Sequence, residues 1–507
     1  MGRRGWIGAG IVVFWLVMIG ALMQREWGGT WVKAPVDTES LQESSSTWLG
    51  LFVIDGPQVG YVHLRRSPEE RHDQSGIRFT MSSRMALSLL GRDTDMTIGG
   101  TFWRSVDEPL AELALTVDSM GQTMELAGEV RDGALKGQVL SGGETIPLEF
   151  PMDPEMLLQT GFGAATQFPP MDVGDDFRME SFDPLTLKKA PARVRCVAKE
   201  VMEVGGVGLE TRVLEVTTGG FTSKAWVDEQ GEVVRAETPF GLMLQRLSPE
   251  KASAMAGGQY APAGAGEAGG DLLGLTAIRP TGEQPRRGLS ELTLRVSGLD
   301  AGVEIPLDGF QSLTPNGELR IVQQNEPLPE TLSEAGALPE ATATELLAAD
   351  AFVQSEHPKI IAQAKSIVGD ETDPKRQALL LHDWVYENLE KVPVMSIPSA
   401  LEVLSGLKGD CNEHTVLYTA LARSLGLPTA IAIGVVWSDD LGGFYYHAWP
   451  EVWVGDGFQR LDPTLDQPAA DATHVKFLQG GIESWPRLLA FLGRIEFHVI
   501  ETKDSEA

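Results

Sequence analysis

Three residues in the C-terminal third of the chain, Cys411, His447 and Asp462, are of the types that perform nucleophilic acyl chemistry. A thiol attacks a carbonyl carbon efficiently when a base takes its proton, and a histidine base needs a third group that orients its ring. Here the nucleophile, the base and the orienting group follow one another in the chain. The order predicts a catalytic triad that forms a thioester from an amide or peptide carbonyl.

Each of these residue types also has a commoner structural role. A single cysteine is more often a buried small hydrophobe or half of a disulfide, and the chain has one other cysteine, Cys196. A histidine on a strand is usually a hydrogen-bonded core residue, and an aspartate before a proline usually forms a turn. The prediction of chemistry therefore depends on the three residues in combination.

The spacing Cys411-x-x-His414 also occurs in metal sites. Two cysteines in 507 residues allow neither a disulfide framework nor a cysteine-rich zinc site. We therefore predict no metal ion and no cofactor. His414 is expected to pack beneath Cys411 on a helix.

The element that must carry the thiol is a helix beginning at Cys411. Asp410 and Glu413 have the spacing of a capping box. Apolar residues then recur at helical spacing until glycine and proline end the run: Leu417, Leu421, Leu425, Gly426 and Pro428. The first turn of a helix favours negative charge, so the position predicts a stabilised thiolate paired with an imidazolium, and N–H groups that can cradle an oxyanion.

The elements that must carry the base and its partner are strands. His447 lies in the predicted strand 445–454, and Asp462 follows the predicted strand 458–461. A hairpin between these strands would place Asp462 beside His447. The start of the cysteine helix would then pack against the same sheet edge.

This set of motifs resembles the transglutaminase-like superfamily of papain-like thiol enzymes. The matching segments span about residues 350–470: Gly409-Asp410-Cys411, Ala420-Leu421-Ala422-Arg423, Gly426-Leu427-Pro428, His447-Ala448-Trp449, Asp462-Pro463-Thr464, and Trp384 in the preceding helix. The resemblance implies a cysteine helix on an antiparallel sheet, with catalytic roles for Cys411, His447 and Asp462. The superfamily's side-chain oxyanion donor has no assigned counterpart here.

The N-terminus predicts a membrane anchor. Arg3 and Arg4 precede an uncharged run over residues 5–23, which is long enough to cross a bilayer. We favour an uncleaved signal anchor over residues 1–24, with a cleaved signal peptide as the alternative. Arginines before the run keep the N-terminus in the cytoplasm, so the bulk of the chain is expected to be periplasmic or otherwise extracytoplasmic.

The remaining sequence predicts an α+β chain of several domains. Residues 46–250 alternate in hydropathy between turn pairs and predict an antiparallel β-rich domain, which resembles the β domain preceding such cores in some bacterial envelope proteins. Residues 251–287 predict a flexible Gly/Ala/Pro linker, residues 288–344 a small β extension, and residues 345–500 the transglutaminase-like catalytic domain.

The net charge of −30 excludes nucleic acid as a general partner, because the phosphate backbone would be repelled. The sequence therefore predicts a peptidase, an amidase or a transglutaminase that acts on protein or peptide substrates outside the cytoplasm. Hydrolysis and transamidation are not distinguished. The alternative is a transglutaminase-like scaffold that binds without catalysis.

Overall fold

The structure is a computed structural model. It describes residues 30–31, 44–53, 56–89, 92–106, 110–119, 122–141, 144–151, 168, 171–183, 188–218, 221–237, 242–256, 277–299, 305–323, 338–392, 399–481, 488 and 494–504. The predicted anchor over residues 1–24 lies outside these ranges. Within them, no helix has both the length and the apolar character needed to cross a membrane.

Strands dominate the described residues. They are β1 Thr30–Trp31, β2 Ser45–Val53, β3 Gln58–Arg71, β4 Gln74–Leu89, β5 Arg92–Ser105, β6 Ala111–Ser119, β7 Gln122–Arg131, β8 Ala134–Ser141, β9 Glu144–Pro151, β10 Asp176–Asp183, β11 Lys188–Val204, β12 Val207–Thr218, β13 Phe221–Val227, β14 Val233–Glu237, β15 Leu242–Arg246, β16 Thr281–Gly282, β17 Leu289–Ser297, β18 Gln311–Leu313, β19 Leu319–Val322, β20 Glu390–Lys391, β21 Lys408–Gly409, β22 Thr429–Ser438, β23 Gly443–Trp453, β24 Phe458–Arg460, β25 Val475–Gly480 and β26 Glu496–Asp504. The helices are α1 Pro249–Ala256, α2 Glu340–Leu347, α3 Pro358–Val368, α4 Pro374–Asn388, α5 Ala400–Gly406 and α6 Cys411–Ser424.

The chain divides into two compact units, and the first combines Met1–Gln42 with Glu155–Ala236. Its strands follow the order β1-β10-β11-β12-β13-β14, in which β1 and β10 are parallel and the strands from β10 onward are antiparallel. A two-glycine turn, Gly205-Gly206, joins β11 to β12, and both glycines have positive φ as such hairpin turns require. Cys196 is buried in the core of this unit.

The second unit combines Glu43–Pro154 with Glu237–Ala507. Its N-terminal part is an antiparallel sheet of nine strands in the order β15-β2-β3-β4-β5-β6-β7-β8-β9. In β6, alternate residues are buried, as expected for a strand with one face on a core. The turn Asp132-Gly133, predicted from sequence, joins β7 to β8 with positive φ at both residues.

The C-terminal part of the second unit contains the helices α2 to α6 and two larger sheets. One sheet has the order β16-β26-β17-β19-β18, and the other has the order β24-β23-β22-β25. Helix α6 is buried from Cys411 to Ala422 and packs on β22, β23, α3, α4 and α5. This cysteine helix on an antiparallel sheet confirms the predicted α+β core, and the antiparallel β character of residues 46–250 is also confirmed.

The boundaries of the predicted domains stay a prediction, but three details differ from the expected layout. The residues predicted as one β domain, 46–250, are shared between the two units. The predicted linker 251–287 includes the end of α1, while residues 257–276 lie outside the described ranges. Its last residues contact the C-terminal part, because Ile278 exchanges two backbone hydrogen bonds with Phe444 of β23.

Candidate active site

Cys411 is the first residue of α6, and the predicted capping box precedes it. The Asp410 carboxylate accepts from the N–H of Asn412 at 2.8 Å, and the Glu413 carboxylate accepts from the N–H of Asp410 at 2.9 Å. Gly409 has φ 154°, and a Cβ there would lie 2.3 Å from the Glu413 side chain. Glycine at this position therefore permits the capping box that sets the start of the helix.

Two hydrogen bonds fix the buried helix against its neighbours. The Thr415 hydroxyl donates to the carbonyl oxygen of Ala448 on β23 at 3.0 Å, and the Tyr418 hydroxyl donates to the carbonyl oxygen of Ala378 on α4 at 3.2 Å. The Ala448 backbone N–H also hydrogen-bonds to the Cys411 sulfur. The thiol thus lies beside the residue that follows His447.

His447 lies on β23 opposite Gly434 of β22 and is buried. Asp462 follows β24, the other neighbour of β23, and is fully buried. His447 Nε2 donates to Asp462 Oδ2 at 2.7 Å. Because Nε2 is occupied in this way, Nδ1 is the ring nitrogen left to serve a thiol.

Asp462 is also held from its other side. Its Oδ1 accepts hydrogen bonds from the N–H groups of Thr464 at 2.9 Å and Leu465 at 3.1 Å, so the carboxylate stabilises the turn that follows Asp462. The buried ring of His382, on α4, lies with Nε2 3.2 Å from the Asp462 carbonyl oxygen. The side chain and backbone of Asp462 are therefore both anchored.

A second histidine, His474, reaches the same carboxylate and was not predicted from the sequence. Its Nε2 lies 3.0 Å from Asp462 Oδ2, and its Nδ1 lies 3.3 Å from Asp471 Oδ1. Trp449 packs its ring edge-on against His474 and nearly parallel to His447. The only signal in the sequence is the short spacing from Asp471 to His474, which is too common to indicate a site.

Burial controls the proton affinities of the proposed nucleophile and base. Burial raises the pKa of the Cys411 thiol well above its usual range, and the carboxylates of Asp410, Glu413 and Asp462 add to the rise. Burial lowers the pKa of His447, although Asp462 opposes this effect. Both effects favour a neutral thiol beside a neutral imidazole. Both directions oppose the thiolate–imidazolium pair expected from the helix start, which stays a prediction.

The two carboxylates behave in the opposite way. Burial alone would raise the pKa of Asp462, but the charges and hydrogen bonds of His447 and His474 outweigh it and hold the pKa well below the usual range. The pKa of Asp471 is lowered in the same manner by His474, Arg287 and Gln467. Both aspartates are therefore ionised at neutral pH.

Three residues of types that can bind a metal ion, His447, Asp462 and His474, come together in this cluster. One nitrogen or oxygen atom from each lies within 4.8 Å of the other two. Both histidines, however, place Nε2 within hydrogen-bond distance of the same Asp462 oxygen. These hydrogen bonds account for the cluster without an ion. His414 places Nδ1 2.7 Å from the Asp410 carbonyl oxygen, and burial lowers its pKa to about 4.

Comparison with known proteins identifies the class of this region. Residues 361–463 match the family model of the Transglutaminase-like superfamily, so the chain contains a domain of that superfamily. The resemblance predicted from the motifs is thereby confirmed. The match includes all three residues of the predicted triad, whereas Asp471 and His474 lie beyond it. A search of curated proteins finds no significant match.

The solved structures that are similar to parts of the chain include the following three. A “putative cysteine protease” from Cytophaga hutchinsonii is 17% identical, with TM-score 0.26, over 44% of this chain and 88% of that one. A beta-barrel-like protein of a domain of unknown function from Brucella abortus is 9% identical, with TM-score 0.28, over 41% and 97%. A “putative protease” from Parabacteroides distasonis is 10% identical, with TM-score 0.20, over 67% and 64%. At TM-scores this low, the family match alone identifies the superfamily.

Proposed function

We propose that the chain is a thiol acyl-transfer enzyme in which Cys411 is the nucleophile, His447 the base and Asp462 the group that orients the base. The hydrogen bond of 2.7 Å between His447 Nε2 and Asp462 Oδ2 carries this proposal, because it directs the other ring nitrogen away from Asp462. The position of the Cys411 sulfur at the Ala448 N–H supports it.

In the first half of the reaction, Cys411 Sγ bonds to the carbonyl carbon of an amide while His447 Nδ1 takes the thiol proton. The bond between the carbonyl carbon and the amide nitrogen then breaks, and the departing amine takes the proton from Nδ1. The result is a thioester on Cys411 and a free amine. The N–H of Ala448 lies where it can donate to charge that develops near the sulfur.

In the second half, water or a second amine gives its proton to His447 Nδ1 and attacks the thioester carbon. The carbon–sulfur bond breaks, and the thiolate recovers the proton from the imidazolium. Water yields a carboxylic acid, as in a peptidase or amidase, whereas an amine yields a new amide, as in a transglutaminase. We extend the proposal to protein or peptide substrates outside the cytoplasm, with the predicted N-terminal anchor as the membrane attachment.

A catalytically idle scaffold is the second candidate, and the burial of Cys411 favours it. A thiol that is 8% exposed and has a raised pKa reacts slowly unless substrate binding places a carbonyl against it. An idle fold would bind a peptide without forming a covalent bond to it.

The experiment that separates the two candidates is thioester trapping on the full chain. The protein is mixed with a peptide library, quenched in acid, and digested for mass spectrometry. We expect acylated Cys411 in the unaltered chain and in Cys196→Ala, and none in Cys411→Ala or His447→Ala. Peptide binding without any acylated Cys411 would establish the idle scaffold instead.

A further inference from the structure

His474 is a buried histidine whose two ring nitrogens face only hydrogen-bond acceptors. Nε2 lies 3.0 Å from Asp462 Oδ2, while Nδ1 lies 3.1 Å from the Asp471 carbonyl oxygen and 3.3 Å from its Oδ1. A carbonyl oxygen and an ionised carboxylate can only accept, so both nitrogens must carry protons. The geometry therefore requires the imidazolium form of His474.

The Asp471 carboxylate is held by donors, which excludes a proton on it. Its Oδ2 accepts from the N–H of Gly288 at 2.9 Å and from Gln467 Nε2 at 2.8 Å, and its Oδ1 accepts from the N–H of Thr473 at 2.9 Å. The guanidinium of Arg287 completes the shell, with Nε 3.4 Å from Oδ2. Asp471 is thus a fixed anion behind His474.

Charges alternate along this line of side chains. Arg287 is positive, Asp471 negative, His474 positive and Asp462 negative, and the line ends on His447. We propose that His474 is a positioning residue that acts through Asp462, holding that carboxylate ionised and directed at His447 Nε2. The inference depends on the proposed thiol reaction for its functional meaning.

The positive charge of His474 has a second effect on the proposed base. The rings of His447 and His474 lie 5.7 Å apart between centroids, so a proton on His447 is repelled by the imidazolium. Burial and the charge of Arg287 also disfavour a proton on His447, whereas the charge of Asp462 favours it. His414 and the Cys411 thiol face His447 from α6. His474 therefore helps to keep His447 neutral and able to accept a proton at neutral pH.

A purely structural role explains this arrangement less well. Removing a buried charge from water is costly, and well-packed apolar residues often replace buried ion pairs without loss of stability. Because His474 and Asp462 are both fully buried, the cluster carries this cost in full. An effect on the proton affinity of His447 accounts for the buried charge of His474, whereas packing alone does not.

The test is a histidine titration in the full chain, followed by NMR of selectively labelled histidine. The chain has 8 histidines, and single substitutions assign their signals. In His474→Gln we expect the titration midpoint of His447 to rise by about one to two pH units, from the loss of a unit charge about 6 Å away at an effective dielectric of about 20. An unchanged midpoint would overturn the inference.

His414→Gln is the matched control. His414 is as deeply buried and lies in the same site, but burial lowers its pKa to about 4, so it carries no charge at neutral pH. Its substitution should leave the His447 midpoint in place. An equal rise in both variants would show that general loosening of the site, and not the charge of His474, moves the titration.

A measurement on the unaltered chain covers the case in which His474→Gln does not fold. Both ring nitrogens of His474 should show the 15N chemical shifts of a protonated imidazole through about pH 7, above the usual histidine midpoint of about 6.5. A neutral His474 at that pH would overturn the inference. These titrations need no substrate. A chain that never forms an acylated Cys411 would therefore contradict the proposed function without affecting the titration test of His474.

In an active enzyme the same change has a kinetic signature. The acid limb of kcat/KM should move to higher pH in His474→Gln. If it moves by about one pH unit, the rate at a pH well below both midpoints falls roughly tenfold relative to the rate on the plateau. A uniform loss at every pH would indicate damage to packing and would contradict the positioning role.

Discussion

The hydroxyl of Thr415 donates a hydrogen bond of 3.0 Å to the carbonyl oxygen of Ala448. Thr415 lies one turn after Cys411 on α6, and Ala448 follows His447 on β23, so this bond connects the element that carries the thiol to the element that carries the proposed base. Both partners are buried, and water cannot replace either of them easily.

Thr415→Val should therefore weaken both folding and activity. The change keeps the shape of the side chain but leaves a buried carbonyl without this donor, which costs about 1–3 kcal/mol. Thr419→Val is the matched control, because the Thr419 hydroxyl is buried one turn further along without a hydrogen-bond partner among the described residues. Urea denaturation should show a loss for Thr415→Val and no loss for Thr419→Val, and equal effects would contradict the assignment.

Gly409→Ala should displace the start of α6. A Cβ at this position would meet Glu413 at 2.3 Å and would sit on a backbone with φ 154°, so the capping box must open. We expect a stability loss of about 1–3 kcal/mol and slower acylation of Cys411. Gly406→Ala is the control, since its nearest neighbour is a flexible lysine carbon at 4.0 Å. Wild-type acylation rates in Gly409→Ala would refute this account.

Alkylation of Cys411 by iodoacetamide should accelerate steadily with pH. Burial raises the pKa of this thiol, and below its pKa the thiolate fraction rises about tenfold for each pH unit. The acid limb of turnover should lie below the ordinary histidine pKa of about 6.5, because burial lowers the pKa of His447. Cys196, whose pKa burial also raises, is the internal reference. An alkylation rate for Cys411 that is already maximal near pH 6 would instead support the thiolate–imidazolium pair expected from the sequence.

Glu291 on β17 should make stability depend on pH in the acid range. Hydrogen bonding to Arg320, with help from Lys503 and against burial, lowers its pKa to about 2. This stabilisation is complete above the unfolded pKa of about 4.3 and is lost as pH falls through about 2. Glu291→Gln should cost on the order of 2 kcal/mol at neutral pH and progressively less near pH 2.

Denaturation with urea at several pH values checks this dependence. Glu501→Gln is the control, because that carboxylate is exposed and lies 3.8 Å from the same Lys503. It should change stability by less than about 1 kcal/mol at any pH. A constant cost of Glu291→Gln from neutral to acid pH would contradict the predicted window.

A fragment of residues 277–507 should be more stable than one of residues 288–507. The shorter fragment lacks the two hydrogen bonds between Ile278 and Phe444, at 2.8 and 2.9 Å, and the Arg287 contact with Asp471. We expect Tm to fall by several degrees, which a loss of about 2 kcal/mol produces in a domain of this size. Equal melting temperatures would show that these contacts add nothing to the fold.

Local patterns in the sequence predicted the start of the site well. The capping box of Asp410 and Glu413 and the helix after it depend on neighbours within a few residues, and both are present. The strands that carry His447 and precede Asp462 also follow local alternation, and their pairing brings these two side chains into contact. The catalytic role of the three residues stays a prediction.

The electrostatic environment could not be predicted in this way. A first-turn position indicates a favourable dipole, but it does not reveal that the thiol is buried near three carboxylates. His474 and Arg287 were missed for a related reason. Their roles depend on contacts such as that between Gly288 and Asp471, which are 183 residues apart and follow no local pattern.

The distance along the chain between these partners also determines when the site can form. Strand β17 lies between β19 and β26, and Leu294 pairs with Val499, so the sheet behind Arg287 is incomplete until residues 496–504 have left the ribosome. At about 5–20 residues per second, the helix bearing Cys411 emerges several seconds earlier. The nascent polypeptide therefore carries its thiol before it carries a finished site, and the proposed acyl chemistry must wait until residues 496–504 have emerged.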